Sequence, residues 1–232
     1  MHDLAVKLEF ERSEVPKILL ERALARLRSR GAESARAYVR DDVEAMIELY
    51  RALGFELIRS FSVMRLNPRL APPSARVRGR VELKRIDPLG KEGDLVLLNR
   101  LHNEAFAEHF DFRPMSVEEV RARLSHEGYE HYVAVAYLGG EPAGYAVASI
   151  SKRSRELSPK RGVVNSIGVL KPFRRREIGT ALLLDAIEWL ESKGAGVVEL
   201  SVDDENPTGA KSLYESVGLR RAFGFLVLRK VL

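Results

Sequence analysis

Three consecutive arginines, Arg174, Arg175 and Arg176, lie between an apolar run ending at Val169 and a helical pattern opening at Ile178, Gly179 and Thr180. The first turn of a helix presents backbone N–H groups without intrahelical partners and the positive end of the helix dipole, so it suits phosphate oxygens whatever the side chains are. The chemistry this spacing points to is binding of a pyrophosphate; the ordinary alternative is solvated charge at a helix start. Neither GxxxxGK nor GxGxxG occurs in the segment, which excludes a nucleotide P-loop and a dinucleotide fingerprint. A second segment, Glu199–Leu219, runs from a strand through an acidic turn with Asn206 into a helix with Ala210, Leu213, Tyr214 and Gly218. His102, His126 and His131 have no metal-ligand spacing, and the absence of cysteine removes thiolate metal sites and cysteine nucleophiles, so no metal is expected.

These residues must be held by a scaffold, and 232 residues allow one large domain or two small ones. With 45% hydrophobic and 31% charged residues, a full core and a solvated surface can both be built. No apolar run approaches a membrane span, and Met1–Phe10 lacks a signal-peptide core, so a cytoplasmic protein without a membrane partner is expected. The net charge of +5 raises nucleic acid as a partner, but charges of both signs alternate along Glu21–Arg30 and Glu118–Arg123, as on solvated helix faces. Nucleic-acid binding is therefore not the expected role. Hydrophobic periodicity predicts a strand over Val81–Ile86, helices over Leu95–Phe110 and Met115–Leu124, and a hairpin of Tyr132–Leu138 and Ala143–Ser149. Further on it predicts a strand over Val163–Leu170, a helix over Ile178–Lys193, a strand over Gly196–Val202, a helix over Thr208–Val217 and a last strand through Phe223–Leu228. The sum is an α/β (α+β) fold, a mixed sheet flanked by helices.

Residues 4–66 repeat residues 167–230 in order. Leu19-Leu20 corresponds to Leu182-Leu183, Arg30-Gly31-Ala32 to Lys193-Gly194-Ala195, Tyr38-Val39 to Ser201-Val202, Leu49-Tyr50 to Leu213-Tyr214, and Gly54 to Gly218. The Pro-rich stretch from Leu66 to Arg80, with Arg76, Arg78 and Arg80, reads as a linker. The division expected is a half-domain over 1–66, a linker over 67–79 and a complete domain over 80–232. The amino-terminal copy has Glu11, Arg12, Ser13, Glu14, Val15 and Pro16 where the carboxy-terminal copy has its arginine loop. Proline removes a donor and the glutamates oppose a polyanion, so no second phosphate site is expected there. Its exposed sheet edge must rest on the carboxy-terminal domain or on a second copy in a homodimer.

The two segments together resemble the GNAT superfamily of acyl-CoA-dependent N-acyltransferases. That family carries R-G-x-G-I-G-x-x-L-L after a valine strand and a proline turn, followed by N-x-x-A-x-x-L-Y-x-x-x-G-F. Val169, Pro172, Arg174, Ile178, Gly179, Leu182 and Leu183 match the first motif; Asn206, Ala210, Leu213, Tyr214 and Gly218 match the second. Arg175 and Glu177 stand where the family has glycine, and Leu219 where it has phenylalanine. The resemblance covers residues 81–232 as a whole domain and makes the amino-terminal copy look like a truncated half of a tandem GNAT arrangement. It implies an N-acetyltransferase that passes the acetyl group of acetyl-CoA directly to an amine of a small molecule or peptide. Ile167, Gly168 and Val169 would pair with the pantetheine where two strands splay, and a backbone N–H there would polarise the thioester carbonyl. Arg174, Arg175, Arg176, Glu177, Ile178, Gly179 and Thr180 would hold the pyrophosphate, Asn206 would contact the cofactor arm, and Tyr214 would protonate the departing thiolate.

A lysine-like amine is neutral in only roughly one molecule in 2,500 at pH 7, so a base or proton path is needed. Val163 stands where some relatives carry a glutamate, and Glu104, Glu108, His109 and Asp111 are on or after the first helix of the domain, where an ordinary polar face is the simpler account. A non-catalytic acyl-CoA sensor is the alternative function, motivated by Glu177 and the vacant base position.

Overall fold

The computed structural model describes residues 13–72, 81–152 and 159–232. Arg76, Arg78, Arg80, most of the proline-rich linker, Glu11 and Arg12 lie outside the described residues. The chain forms two compact units: residues 1–63, 203–205 and 221–232 make one, and residues 64–202 and 206–220 the other.

In the first unit, helix α1 (Val15–Ser29), strand β1 (Ser34–Arg40), helix α2 (Glu44–Ala52) and strand β2 (Glu56–Leu66) follow one another, β2 running on into the second unit. Strand β8 (Arg220–Val231) pairs antiparallel with β1, from Ser34 opposite Val231 to Arg40 opposite Phe225. Strand β8 is longer at both ends than the Phe223–Leu228 expected from its apolar residues, and past Leu228 this ladder recruits Arg229, Lys230 and Val231. The ladder also joins the last strand of the chain to the first. Leu20, Leu24, Ala35, Val39, Ile47, Tyr50, Phe55 and Leu228 form the core of this unit. Arg59 donates to both carboxylate oxygens of Asp203, at 2.9 and 2.8 Å, and Ser62 to Asp204 at 2.5 Å.

The second unit contains β3 (Glu82–Arg85), α3 (Glu92–Phe106), α4 (Val117–Leu124), β4 (Tyr129–Leu138), β5 (Glu141–Ser151), β6 (Arg161–Val169), α5 (Ile178–Ser192), β7 (Val197–Asp203, through Val202) and α6 (Ala210–Val217). Strands lie in the order β7-β6-β5-β4-β3; the pairs from β3 to β6 are antiparallel and β6–β7 is parallel. This is the mixed sheet the periodicity predicts. Strand β4 places Tyr132, Ala134 and Ala136 on the face that packs with α5, and Val133 and Val135 on the face beneath α3 and α4. Both faces are covered, which is why β4 reads as nearly continuous apolar sequence.

The hairpin turn is tighter than the four residues expected. Gly139 and Gly140 alone form it, at φ of 61° and 84°, and Glu141 and Pro142 already belong to β5. Two positive φ values in succession are what a type I′ turn requires, and glycine adopts them without a Cβ penalty. Ser116 caps α4 in the expected capping box: its hydroxyl accepts from Glu119 N–H at 3.2 Å, and the Glu119 carboxylate accepts from Ser116 N–H at 2.9 Å. Helix α3 ends at Phe106, four residues before the expected Phe110, and the chain turns with His109 N–H donating to Phe106 O at 2.9 Å.

Candidate active site

The parallel ladder between β6 and β7 is short: Arg161 pairs with Val197, Gly162 with Val198 and Val163 with Glu199. Beyond Val163 no register continues, so Asn165–Val169 and Leu200–Val202 run on as separated strands. The cause lies on the other edge of β6. Pairing with β5 shifts register between Val147, opposite Ser166, and Ala148, opposite Val164, which leaves Asn165 as a bulged residue. A bulge bends its strand, and here it turns Ser166–Val169 away from the β7 register. The opening contains Ile167, Gly168 and Val169. Glu199, at the mouth of the opening, is held by Arg65 at 2.8 Å and Arg161 at 3.4 Å.

Gly168 owes its identity to a close approach. A Cβ there would lie 2.6 Å from Tyr145 Cε1 and 2.7 Å from Ala105 Cβ, so β5 and α3 leave no room for a side chain. After Val169 a 3₁₀ turn, Lys171–Phe173, leads into the arginine loop. Arg175 and Glu177 both have left-handed backbones, with φ of 63° and 62°. The loop therefore keeps the conformation that glycine favours, with two residues that bear the Cβ strain. Helix α5 follows, and its first i→i−4 bond is Ala181 N–H to Glu177 O at 2.9 Å. The N–H groups of Ile178, Gly179 and Thr180 precede that bond, and the Glu177 side chain does not cap them. Gly179 lets this helix start settle on α6: a Cβ there would sit 2.9 Å from Leu213 Cδ1.

The three arginines divide the work. Arg174 is turned inward, donating to Val169 O at 3.2 Å, Ala105 O at 3.4 Å and Glu108 at 2.9 Å. Glu108 also accepts from Lys171 at 2.7 Å, and the two cations hold its carboxyl down at about 2. Glu108 is thus a tie between α3 and the loop; the ordinary polar face expected for it is replaced by an ion-pair junction. Arg175 reaches Thr208 O at 3.4 Å, linking the loop to the turn before α6, and Arg176 is exposed. In that turn Asn206 Oδ1 accepts from Thr208 N–H at 2.8 Å and from its hydroxyl at 2.6 Å, which fixes the entry into α6.

Tyr214 is partly buried on α6 and, like Leu213, Ile167 and Val169, packs against the apolar cluster that includes Ile178, Leu182 and Val217. Burial pushes its phenol up to about 12, so it stays protonated throughout the neutral range. Among the residues weighed as bases, Glu104 is exposed beside Arg100, and His109 lies against Phe106 with ring centroids 4.2 Å apart. What the sequence does not reveal is a hydrogen-bonded string under the strand opening. Tyr145 Oη lies 2.5 Å from Ser166 Oγ and 2.7 Å from His102 Nδ1. Nothing in linear spacing joins these residues of β6, β5 and α3; only the sheet register and the packing of α3 do.

A parallel strand pair thus opens beside a helix start on a mixed sheet covered by helices. Residues 96–219 match the acetyltransferase (GNAT) family, and the chain belongs to that family. Mycothiol acetyltransferase of Thermobispora bispora is 28% identical over 203 residues, covering 86% of this chain and 67% of that protein. Of two further proteins of that name, from an Arthrobacter species and Renibacterium salmoninarum, the chain covers 62% and 64%. The chain thus spans about two thirds of the length of these relatives. Among solved structures, a GCN5-related N-acetyltransferase from Sphaerobacter thermophilus superposes with a TM-score of 0.75 at 23% identity, covering 97% of this chain and 70% of that one. A tandem GNAT protein from the clavulanic acid biosynthesis pathway gives 0.78 at 17% identity, covering 99% and 73%. These two likenesses establish the shared fold. Among the described residues, no helix is long and apolar enough to cross a membrane, and no three His, Cys, Asp or Glu side chains cluster as metal ligands.

Proposed function

We propose that the chain is an acetyl-CoA-dependent N-acetyltransferase that transfers acetyl directly to an amine of a small molecule or peptide in a ternary complex. The observation that carries this reading is the opening between β6 and β7, which begins after the Val163–Glu199 pair and points at the start of α5. An unpaired strand edge offers backbone donors and acceptors to an extended pantetheine, and a helix start offers N–H groups to a pyrophosphate. Both features fit the cosubstrate, whose part is to supply the acetyl group as a thioester. Ile167, Gly168 and Val169 pair with the pantetheine arm and orient the thioester carbonyl toward a backbone N–H. The N–H groups from Arg175 to Thr180 hold the pyrophosphate, with Arg176 adding charge from solvent. Arg174 acts one step back, keeping the loop in place through Val169, Ala105 and Glu108. Asn206 shapes the turn beside the cofactor arm. Tyr214, kept neutral by its surroundings, gives its proton to the departing sulfur.

The relatives named for mycothiol make a mycothiol-type amine one acceptor to test, beside glucosamine, putrescine and a lysyl peptide. Residues 1–66 are read as a degenerate half of a tandem arrangement, with 67–79 as linker and 80–232 as the catalytic domain. The repeat supports this: α1 and α5 have fifteen residues each and β1 and β7 seven each.

The test is Tyr214→Phe. Turnover should fall by about 10²-fold or more, the usual contribution of a general acid, while the acetyl-CoA dissociation constant stays within about twofold. Unchanged turnover would remove Tyr214 from the mechanism. Acetyl-CoA binding without transfer to any of the four acceptor types would favour the sensor.

A further inference from the structure

Amine acetylation needs a route for the amine proton, and Val163 leaves the expected strand position without a base. The structure supplies a hydrogen-bonded string instead. Ser166 is the first residue after the bulge and adjoins Ile167 in the strand opening; its hydroxyl meets Tyr145 Oη at 2.5 Å, and Tyr145 Oη meets His102 Nδ1 at 2.7 Å. Tyr145 is 1% exposed, and its ring occupies the space a side chain at position 168 would need. His102 is fixed by stacking on Phe106, with ring centroids 4.9 Å apart and planes 17° from parallel. A serine, a buried tyrosine and a histidine thus join the strand opening to a partly exposed imidazole.

We infer that Ser166, Tyr145 and His102 form the relay that takes the proton from the acceptor amine, with Ser166 touching the substrate and Tyr145 and His102 as positioning residues behind it. The inference rests on the acetyltransferase reading above. Before attack the protonated amine gives one proton to Ser166 Oγ, the Ser166 proton passes to Tyr145 Oη, and the Tyr145 proton to His102 Nδ1. The neutral nitrogen then bonds to the acetyl carbon as the carbon–sulfur bond breaks; the nitrogen loses its second proton to water, and the sulfur takes the phenolic proton of Tyr214. The imidazolium releases its proton to water, and water returns one to Tyr214, so that amide, free thiol and one released proton are the net products.

The surroundings of the string suit a relay that does not trap the proton. Burial lowers the imidazole of His102 to about 4, with Arg123 of α4 and His109 acting in the same direction. Neutral His102 then offers Nδ1 as an acceptor across the working pH range, and a proton arriving there is soon lost to solvent. Burial raises the Tyr145 phenol, and Tyr214 adds to that shift while Ser166 and Arg123 oppose it, so Tyr145 remains a hydroxyl able to donate and accept.

The experiment measures kcat and kcat/KM from pH 6 to 10 for the full chain and its His102→Gln, Tyr145→Phe and Ser166→Ala variants. Acetyl-CoA is the donor, and the amine is whichever of a mycothiol-type amine, glucosamine, putrescine and a lysyl peptide the unmodified chain acetylates fastest. Acetyl-CoA affinity is measured alongside by calorimetry. Glutamine retains an acceptor for Tyr145 but does not titrate, so His102→Gln separates proton transfer from packing, and Tyr145→Phe provides a second break should the first variant not fold. The expected result is a loss of about 10²-fold in kcat at pH 7, with acetyl-CoA affinity within about twofold, and a deficit that shrinks toward pH 10 as the amine deprotonates unaided. A deficit that is constant across pH, a loss shared by acetyl-CoA binding, or no deficit would overturn the relay. If the unmodified chain acetylates none of the amines, the acetyltransferase reading falls and the relay with it.

Discussion

Glu177 combines two unfavourable features whose effects can be measured apart. Its φ of 62° places a side-chain-bearing residue in the left-handed region, and its carboxylate stands at the start of α5, where the pyrophosphate is proposed to lie. The left-handed conformation costs a residue with a Cβ about 1–2 kcal/mol, and glycine gives back about 0.4–1 kcal/mol of that through the greater freedom of its unfolded chain. Comparing Glu177→Gly with Glu177→Ala cancels the carboxylate and every contact it makes, because both variants lack it. What remains is the backbone term, which should favour the glycine variant by about 0.5–1 kcal/mol. For a chain of this size that is about 1–4 °C in Tm, readable by thermal unfolding and checked by denaturant titration. Acetyl-CoA affinity should rise in both variants by a similar factor, since each removes one negative charge from beside the phosphates, and the gain should diminish with added salt. A glycine variant less stable than the alanine variant would refute the strained-loop reasoning. An affinity gain in one variant only would show that the carboxylate is not the cause.

Gly168→Ala should be destabilised by about 1–3 kcal/mol in urea unfolding, the usual penalty for overpacking, because its Cβ would enter at 2.6 Å from Tyr145 Cε1 and 2.7 Å from Ala105 Cβ. A neutral result would mean that β6 can shift at no cost. The Glu108 carboxyl should titrate at about 2 by carbon NMR, and because a lowered carboxyl stabilises only while ionised, its tie to Lys171 and Arg174 should be complete above the ordinary carboxylate range and lost as pH falls toward 2. A midpoint near the ordinary value would show that the tie is not formed in solution. Glu108→Gln should also weaken acetyl-CoA binding several-fold by loosening the loop that Lys171 and Arg174 tie to it, and unchanged affinity would show that the tie does not hold the loop in place.

Much of the fold is legible in the sequence because its signals are local. The capping box of Ser116 and Glu119, the glycine pair at 139 and 140, and the glycine after the long amphipathic helix each act within a few residues of chain, and each has its expected consequence. The helix start that follows the arginine loop is likewise written in the residues around it. Boundaries were less legible where partners decide them. Helix α3 stops at Phe106, and Glu108 just beyond it bonds with Lys171 and Arg174, which are more than sixty residues away in sequence.

Residue types and motif spacing are properties of the chain itself, and they determine the family and the mixed sheet. The tertiary structure alone decides what those residues touch. Arg174, chosen from sequence as a phosphate ligand, is turned inward, because Val169 O, Ala105 O and Glu108 offer it fixed acceptors at short range. Strand β8 pairs with β1, almost two hundred residues earlier in the chain, since an unpaired edge is satisfied by whichever strand lies alongside it and apolar alternation does not name the partner. His102, Tyr145 and Ser166 carry no mutual signal along the chain. A bulge at Asn165, the register of β5 on β6 and the packing of α3 bring them within hydrogen-bonding distance, and such coincidences of register exist only once the sheet is assembled.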